Sequence, residues 1–577
     1  MAVSRVTPPA RENDRVEIVG IVVVCVLAVA GANQLAPRVR IAAPLLLVGF
    51  GVAVSYLPGV PPIWVDPEVV LIGVLPPLLY AAAVALPAMD FKRDFQAISG
   101  LSIVLVVISA LLLGLLFMLI LPDADYATGV ALGAILSPTD AVATTTVKRV
   151  GAPQRLITVL SGESLFNDAS ALVVLRAAIA AMAGGLSMVG VALSFVWAII
   201  GAVIVGGAVG WVFIVARARI SNAAVATAVS FTAPYIAYVP TEIMGASGLV
   251  AAVAAGLVTG RGSVRRLTAA HRQSDQQTWR TVELLLEGGV FLLMGLELKA
   301  LVMDVTASHE SVIHAFWPAA IAFVLLMVIR WGFVMTLVAA ISRRSRRVIA
   351  REPILEQMQD RLGDPDAAAD RLTRRFQRRI DRRLADIEYY RTESIGFREG
   401  HVVVWAGMRG VVTLAAAQTL PADTPYRSLL VLVAFVVATG SLMIQGSTLG
   451  AFIKWMRLPD HRADAARELQ RLNREMASIS VEVLTDPAVC SDSMLARNVE
   501  QVRSLEASDD GDPTGDVLDR RLRNAVEMRR VRRVIIDRQR AELIDLRDRG
   551  AYSSEALTSA LARLDAEEIS LDAQANR

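Results

Sequence analysis

The chain has 577 residues, 54% of them hydrophobic, with 58 Lys and Arg against 55 Asp and Glu and a formal net charge of +3. Its mean hydropathy of +0.50 is too high for a water-soluble protein of that size. That excludes an ordinary globular enzyme and leaves a multi-pass membrane protein as the class to test against the pattern.

Apolar runs near the 20 residues that span a hydrocarbon core occur at 17–36, 41–57, 68–87, 97–121, 127–147, 156–183, 187–215, 222–239, 246–260, 281–303, 312–341, 401–420 and 427–456. These predict thirteen transmembrane helices. Glu12, Asp14 and Glu17 lie at or just before the start of the first run, where a cleaved signal peptide needs a net basic flank, so that run is read as a span. Cys25 and Cys490 give no disulfide framework.

Basic residues alternate with the runs. Loops after odd-numbered runs carry Arg38, Arg40, Lys92, Arg93, Lys148, Arg149, Arg155, Arg217, Arg219, Arg261, Arg265, Arg266 and Arg272. Loops after even-numbered runs carry almost nothing basic, Lys299 and Arg427 excepted. By the positive-inside rule the N-terminus lies outside and the C-terminus in the cytoplasm. The GSVRRLTAAHRQ loop (262–273) is topological charge in this reading, and no nucleic-acid partner is expected.

Two polar stretches depart from the pattern. A charged helical insertion at 342–400 interrupts a membrane domain of residues 1–457, and 458–577 form a helical cytoplasmic tail. In the tail Leu518, Leu522 and Val526 recur every fourth residue, and Gly550 is placed to end that helix. Neither stretch contains a catalytic motif.

The chemistry lies in the charged residues within apolar runs, where an ionisable group costs about 2.5–3.5 kcal/mol on insertion scales. In the fifth run, SPTDAVATTTV (137–147), Pro138 removes a helical hydrogen bond. The chain is therefore expected to unwind at 137–140 and free the Thr139 carbonyl beside Asp140. In the sixth, GESLFND (162–168), Ser164 and Asp168 are four apart and share one helix face; Glu163 and Asn167 share the next. A hydroxyl beside a carboxylate offers hard oxygen ligands for Na⁺ or Li⁺, in competition with a proton.

Glu163 lies roughly 12 Å along its helix from the cytoplasmic end, and Arg330 in FVLLMVIRWGF roughly 16 Å from its own. The matching depths predict a buried ion pair with a scaffolding role. A second break is expected in HVVVWAGMRGVVTLAAAQTLP (401–421), where Gly407 and Gly410 flank Arg409. Arg409 could there offset the dipole ends of half-helices that cross at the break.

SPTDAV, GAPQRL (151–156), GESLFNDASALVV and WAGMRG resemble the monovalent cation/proton antiporter family 1, which includes NhaP-type and sodium/hydrogen exchanger proteins. The resemblance covers roughly 17–457 and is most specific at 136–176. It implies a homodimer of thirteen-helix all-α protomers with inverted repeats, moving by elevator-like alternating access. It implies that Asp168 of the Asn167–Asp168 pair carries ion and proton, with Asn167 and Asp140 in the same ion- and proton-binding set, that Ser164 and Thr139 help to coordinate Na⁺, and that Thr139–Asp140 and Glu163–Arg330 are the family's paired positions. No cofactor is implied; the partners are the transported cation and proton, the lipid and the second protomer.

Many relatives have a Glu after a third-helix LPPLL pattern, whereas this chain reads LPPLLYAAAVAL (75–86) with Ala81 and Ala82 there. Selectivity is therefore not carried over, and K⁺/H⁺ exchange stays open. If Asp168 is the one exchangeable carboxylate, it holds one proton or one cation, and exchange is electroneutral. A channel is disfavoured by the lack of a filter-like repeat, and an enzyme by the lack of HExxH, GxSxG or Walker sequences. The histidines (His271, His309, His314, His401 and His461) are scattered. The expected location is the plasma membrane.

Overall fold

A computed structural model describes residues 12–575 except 40, 122–123, 184–187, 310, 351, 363–370, 393–394, 411, 459–461, 488 and 490–514. Cys490 and His461 fall outside the described residues, as do the side chains of Leu518 and Leu522. Every regular element among the described residues is helical.

In chain order these are α1 (Glu12–Val39), α2 (Ala43–Ser55), α3 (Leu75–Ala85), α4 (Ala88–Ser99), α5 (Leu105–Ile120), α6 (Tyr126–Leu136), α7 (Val142–Val150), α8 (Gln154–Met182), α9 (Met188–Arg217), α10 (Ala223–Ser230) and α11 (Ala233–Ile243). There follow α12 (Gly248–Arg266), α13 (Ala269–Ala307), α14 (Phe316–Ile349), α15 (Glu352–Leu362), α16 (Arg371–Thr392), α17 (Phe397–Trp405), α18 (Val412–Gln418), α19 (Arg427–Met456), α20 (Arg462–Thr485), α21 (Gly515–Arg549) and α22 (Ser554–Ala575). Short π-helical turns, Val69–Val74 and Gly100–Val104, lead into α3 and α5.

The chain divides into two compact units. The first comprises Met1–Gly262, Asp275–Ser342 and Ile395–Pro459. Among the described residues, six helical runs are long and apolar enough to cross a membrane: Ala88–Ile120, Gln154–Met182, Ala192–Arg217, Ala223–Ile243, Val312–Met358 and Arg427–Met456. Four shorter apolar helices accompany them. The α19 window is 67% buried against 28–44% for the other five, so α19 is the central post. On α9, Leu193, Trp197, Ile200 and Ile204 are all at least 48% exposed, a surface suited to lipid rather than water.

Helices α5 and α6 approach closely at two glycines of α6. A Cβ on Gly129 or Gly133 would strike the α5 backbone at Gly114 and Ala110. Asp125 caps α6, its carboxylate accepting the Thr128 N–H at 2.8 Å. The helix then stops at Leu136, and residues 138–140 are non-helical before α7 begins. Likewise α17 stops at Trp405 and 407–410 are non-helical before α18. These are the breaks that Pro138 and the Gly407/Gly410 pair predict.

Several arginines read above as loop charges are not in water. Arg155 is 2% exposed and its Nε donates to Asp94 at 2.8 Å. Arg217 is 1% exposed and chelates the Asp275 carboxylate at 2.6 Å. Lys92 and Arg93 lie on α4, and α13 begins twelve residues before its apolar run. The helices outlast their apolar stretches, so apolar length underestimates them.

The second unit comprises Ser263–Ser274, Arg343–Ser394 and Asp460–Arg577. Its α21 and α22 form a hairpin at Gly550, whose φ of 73° suits glycine. The Gly550 N–H donates to Leu546 O at 2.8 Å. Gln539 on α21 donates to Met476 O at 2.7 Å and to Ser480 Oγ at 2.9 Å, tying in α20. The 263–274 stretch belongs here through ion pairs: Arg272 Nε donates to Asp565 at 2.8 Å, Arg540 meets the same carboxylate at 3.2 Å, and Arg265 pairs with Asp548. Arg265 and Arg272 of this stretch are thus tied to acids of the same unit.

Candidate ion site at the crossed helix breaks

The two breaks touch. The Asp140 backbone N–H donates to Met408 O at 2.7 Å, and Gly410 faces the Asp140 carboxylate so closely that a Cβ there would overlap it. Asp140 Oδ1 accepts the Val142 N–H at 3.3 Å, at the start of α7. Arg409 is 2% exposed and spans the crossing. Its Nε donates to Leu136 O, the last carbonyl of α6, at 3.2 Å, and its Nη1 to Gly407 O at 2.6 Å. Its own N–H is taken by Ser441 Oγ of α19 at 2.9 Å. A cation thus sits at the negative end of a half-helix and takes up carbonyls left over by the break.

Beneath the crossing, α8 presents Glu163 and Asn167, each 1% exposed. Arg330 of α14 holds both Glu163 oxygens, one at 2.9 Å, and donates to Val403 O of α17 at 2.9 and 3.2 Å. Thr139 donates its hydroxyl to Glu163 Oε1 at 3.1 Å. Asn167 Nδ2 donates to Thr139 Oγ1 at 2.7 Å and to Thr139 O at 3.1 Å. The carbonyl that unwinding releases is therefore engaged by Asn167, with one lone pair left over. This differs from a carbonyl free to bind an ion: Asn167 anchors the break and Thr139 is the anchored residue.

The neighbouring face of α8 is the open one. Ser164 is 9% exposed and its hydroxyl donates at 3.4 Å within its own helix, to Ser161 O, so its oxygen stays free to accept. Asp168, a turn further on, is half-buried and takes no hydrogen bond from any described residue. It lies within electrostatic reach of Asp140. Glu163 is thus neutralised while Asp168 is not, although both are carboxylates on one helix.

Position 81 on α3 is a buried alanine and position 82 a half-buried one, so no acid approaches from there. One comes from α13 instead: Glu287 interacts electrostatically with Asp140, and Glu283 lies a turn before it. Sequence reasoning passed over Glu287, although TVELLLEGGVFLLMG is another apolar run carrying an acid. Of the described histidines, His271 lies in the second unit, its Nδ1 at 2.5 Å from Thr268 Oγ1. Among the described residues no group of three His, Cys, Asp or Glu side chains is placed to hold a resident metal.

Residues 22–455 match the family model for the transmembrane sodium/hydrogen exchanger. An uncharacterised Na⁺/H⁺ exchanger of Mycobacterium tuberculosis is 28% identical over 567 residues, 96% of each chain. One from Escherichia coli is 26% identical over 576 residues, 94% of this chain and 97% of its own. The solved sodium proton antiporter of Methanocaldococcus jannaschii superposes with a TM-score of 0.54 at 17% identity, over 76% of this chain and 98% of its own, a likeness of fold. The chain belongs to the sodium/hydrogen exchanger family of cation/proton antiporters, and is a transporter rather than an enzyme.

Proposed function

We propose that this antiporter exchanges Na⁺, or Li⁺, for H⁺ one for one across the plasma membrane, with Asp168 as the exchanging carboxylate. The observation that carries the reading is the contrast along α8. Glu163 is held by Arg330 and Thr139, whereas Asp168, one face away, has no such partner and has Ser164 a turn before it. A carboxylate without fixed counter-charge must find a proton or a cation, and two such occupants competing for one group is an exchanger.

Each occupant carries one positive charge, so the two half-cycles move equal charge. Asp140 and Glu287 shape the field without being discharged in turn. In this reading Ser164 supplies the second ion oxygen, Thr139 contributes at most its remaining carbonyl lone pair, and Arg409 supports the crossing. Thirteen spans, inverted repeats, an outside N-terminus and a homodimer complete the arrangement, with elevator-like alternating access of the helices that carry the breaks. K⁺ as the cation is the second reading, favoured by the alanines at 81 and 82, which leave a looser oxygen cage for a larger ion.

Purified protein in liposomes with an imposed pH gradient tests this. Wild type is expected to collapse the gradient on addition of Na⁺ or Li⁺ without net current, and Asp168→Asn to leave it standing. Collapse by K⁺ alone would transfer the assignment to the second reading. A fixed net current would implicate a second discharging acid, with Glu287 the first to examine.

A further inference from the structure

The start of α17 and the end of α19, both in the first unit, enclose a shallow groove of about 430 Å³ lined by Phe397, Arg398, His401, Trp455, Met456 and Arg457. Its rim is aromatic: Phe397 is 64% and Trp455 72% exposed. Its charge is one-sided. Arg398 and Arg457 are exposed and make no ion pair with any described residue. The nearby acid, Glu399, is buried and turned away, its Oε2 accepting the Gly396 N–H at 2.8 Å. His401 has Nδ1 at 2.6 Å from Phe397 O, which leaves its other nitrogen to the groove.

From this cationic mouth an aromatic wall runs back along α19. Trp455 meets Phe452 with centroids 5.8 Å apart, and Phe452 stacks on Trp405 of α17 at 5.2 Å and 19°. Trp405 is fixed by its Nε1–H donating to Thr448 Oγ1 at 2.9 Å. Because α19 is a 30-residue apolar helix, about 45 Å long, its last turn lies at the level of the lipid headgroups. A tryptophan belt alone would account for Trp455. It does not account for arginines at the start of one helix and the end of another converging on one concavity with no acid of the described residues between them.

We propose that this groove binds the phosphate of an anionic membrane phospholipid, with Arg398 and Arg457 on the phosphate oxygens and an acyl chain along Trp455, Phe452 and Trp405. Guanidinium forks suit phosphate geometry, and the negative leaflet facing a cytoplasmic C-terminus supplies the matching charge. The site rests on the proposed embedding of α19 with Arg457 on the cytoplasmic side. A bound phosphate ties the first turn of α17 to the last turn of α19. Those two helices also hold the second break, through Trp405 before it and Ser441 on Arg409. Occupancy of the groove therefore steadies one wall of the ion site.

The test reads lipid rather than transport, so it separates from the exchange assignment. Full-length protein, delipidated in detergent and offered phosphatidylglycerol or phosphatidylcholine, is weighed by native mass spectrometry. Wild type is expected to retain one phosphatidylglycerol in preference to phosphatidylcholine. Arg398→Gln/Arg457→Gln is expected to lose that preference by about 30-fold for two juxtamembrane charges. Size-exclusion elution of the variant shows that it is folded, and Trp455→Ala, which keeps both charges, is expected to weaken retention of either lipid. Equal retention of the two lipids by wild type, or undiminished phosphatidylglycerol on the double variant, overturns the proposal. So does displacement of the lipid by millimolar inorganic phosphate, which would make the site one for free phosphate.

Discussion

Asp140 and Met408 are joined main chain to main chain, the N–H of one to the carbonyl of the other at 2.7 Å. The two interrupted helices are therefore fixed to each other at their weakest points. A break leaves backbone groups without helical partners, and here each break supplies what the other lacks. The close approach needs Gly410, because any Cβ at that position enters the space of the Asp140 carboxylate.

Gly410→Ala is thus expected to separate the breaks. Overpacking of this kind costs about 1–3 kcal/mol, and transport should fall at least about tenfold, since an ion site tolerates little displacement of its oxygens. Gradient collapse in liposomes, alongside thermal melting, checks both. A variant that transports at the wild-type rate would show that the crossing yields without harm to the site.

Glu163→Gln is expected to destabilise the protein by about 3–5 kcal/mol, because it leaves the guanidinium of Arg330 buried without counter-charge. The double variant Glu163→Leu/Arg330→Met removes both charges and should melt closer to wild type than either single variant. Melting of wild type, Glu163→Leu, Arg330→Met and the double variant in one detergent is a double-mutant cycle, and strict additivity would contradict the pairing.

Glu287→Gln removes a carboxyl that, whenever it is ionised, acts electrostatically on Asp140. The cation is then held less firmly, so the half-saturating cation concentration should rise severalfold while the maximal rate stays within about twofold. Titration of the exchange rate with Na⁺ at fixed pH decides it. Loss of all transport would instead make Glu287 an obligatory carrier and end the single-carboxylate scheme.

In the second unit, Tyr552 donates its hydroxyl to Glu475 at 2.7 Å, and burial together with that acceptor pushes the phenol up to about 12. The raised value means the folded state holds the proton more firmly than the unfolded one. The contribution is whole below the ordinary tyrosine value near 10 and is lost as pH rises toward 12. The phenolate absorbance of wild type minus Tyr552→Phe should show one group titrating near 12; a difference curve centred near 10 would remove Tyr552 from this role.

The breaks were legible because their cause is local: Pro138 cannot donate, and Gly407 and Gly410 flank a charge in an apolar run. The partnership of Glu163 with Arg330 was legible from depth along two helices, since an unpaired charge at either depth is costly. The engagement of Thr139 by Asn167 was not, because which face of α8 turns toward the break is set by packing between distant segments. Asp94 with Arg155, and Arg217 with Asp275, escaped for a related reason. A basic residue just past an apolar run looks the same whether its helix stops there or continues. Glu287 was within reach of the criterion that found Asp168 and was missed by weighing the acids of 136–176 alone.

The glycine seam between α5 and α6 bears on the proposed alternation of access to such a site. Backbones in direct contact at Gly129 and Gly133 have no side-chain cushion to deform, and close-packed interiors compress little. The half-helix ending at Leu136 therefore cannot slide along α5 by small rotamer adjustments. Whatever carries α6 carries α5 with it, so the freedom needed for turnover is displaced to surfaces where long, adaptable side chains meet. Filling that seam should push α5 and α6 apart, a fault of assembly rather than of ion affinity.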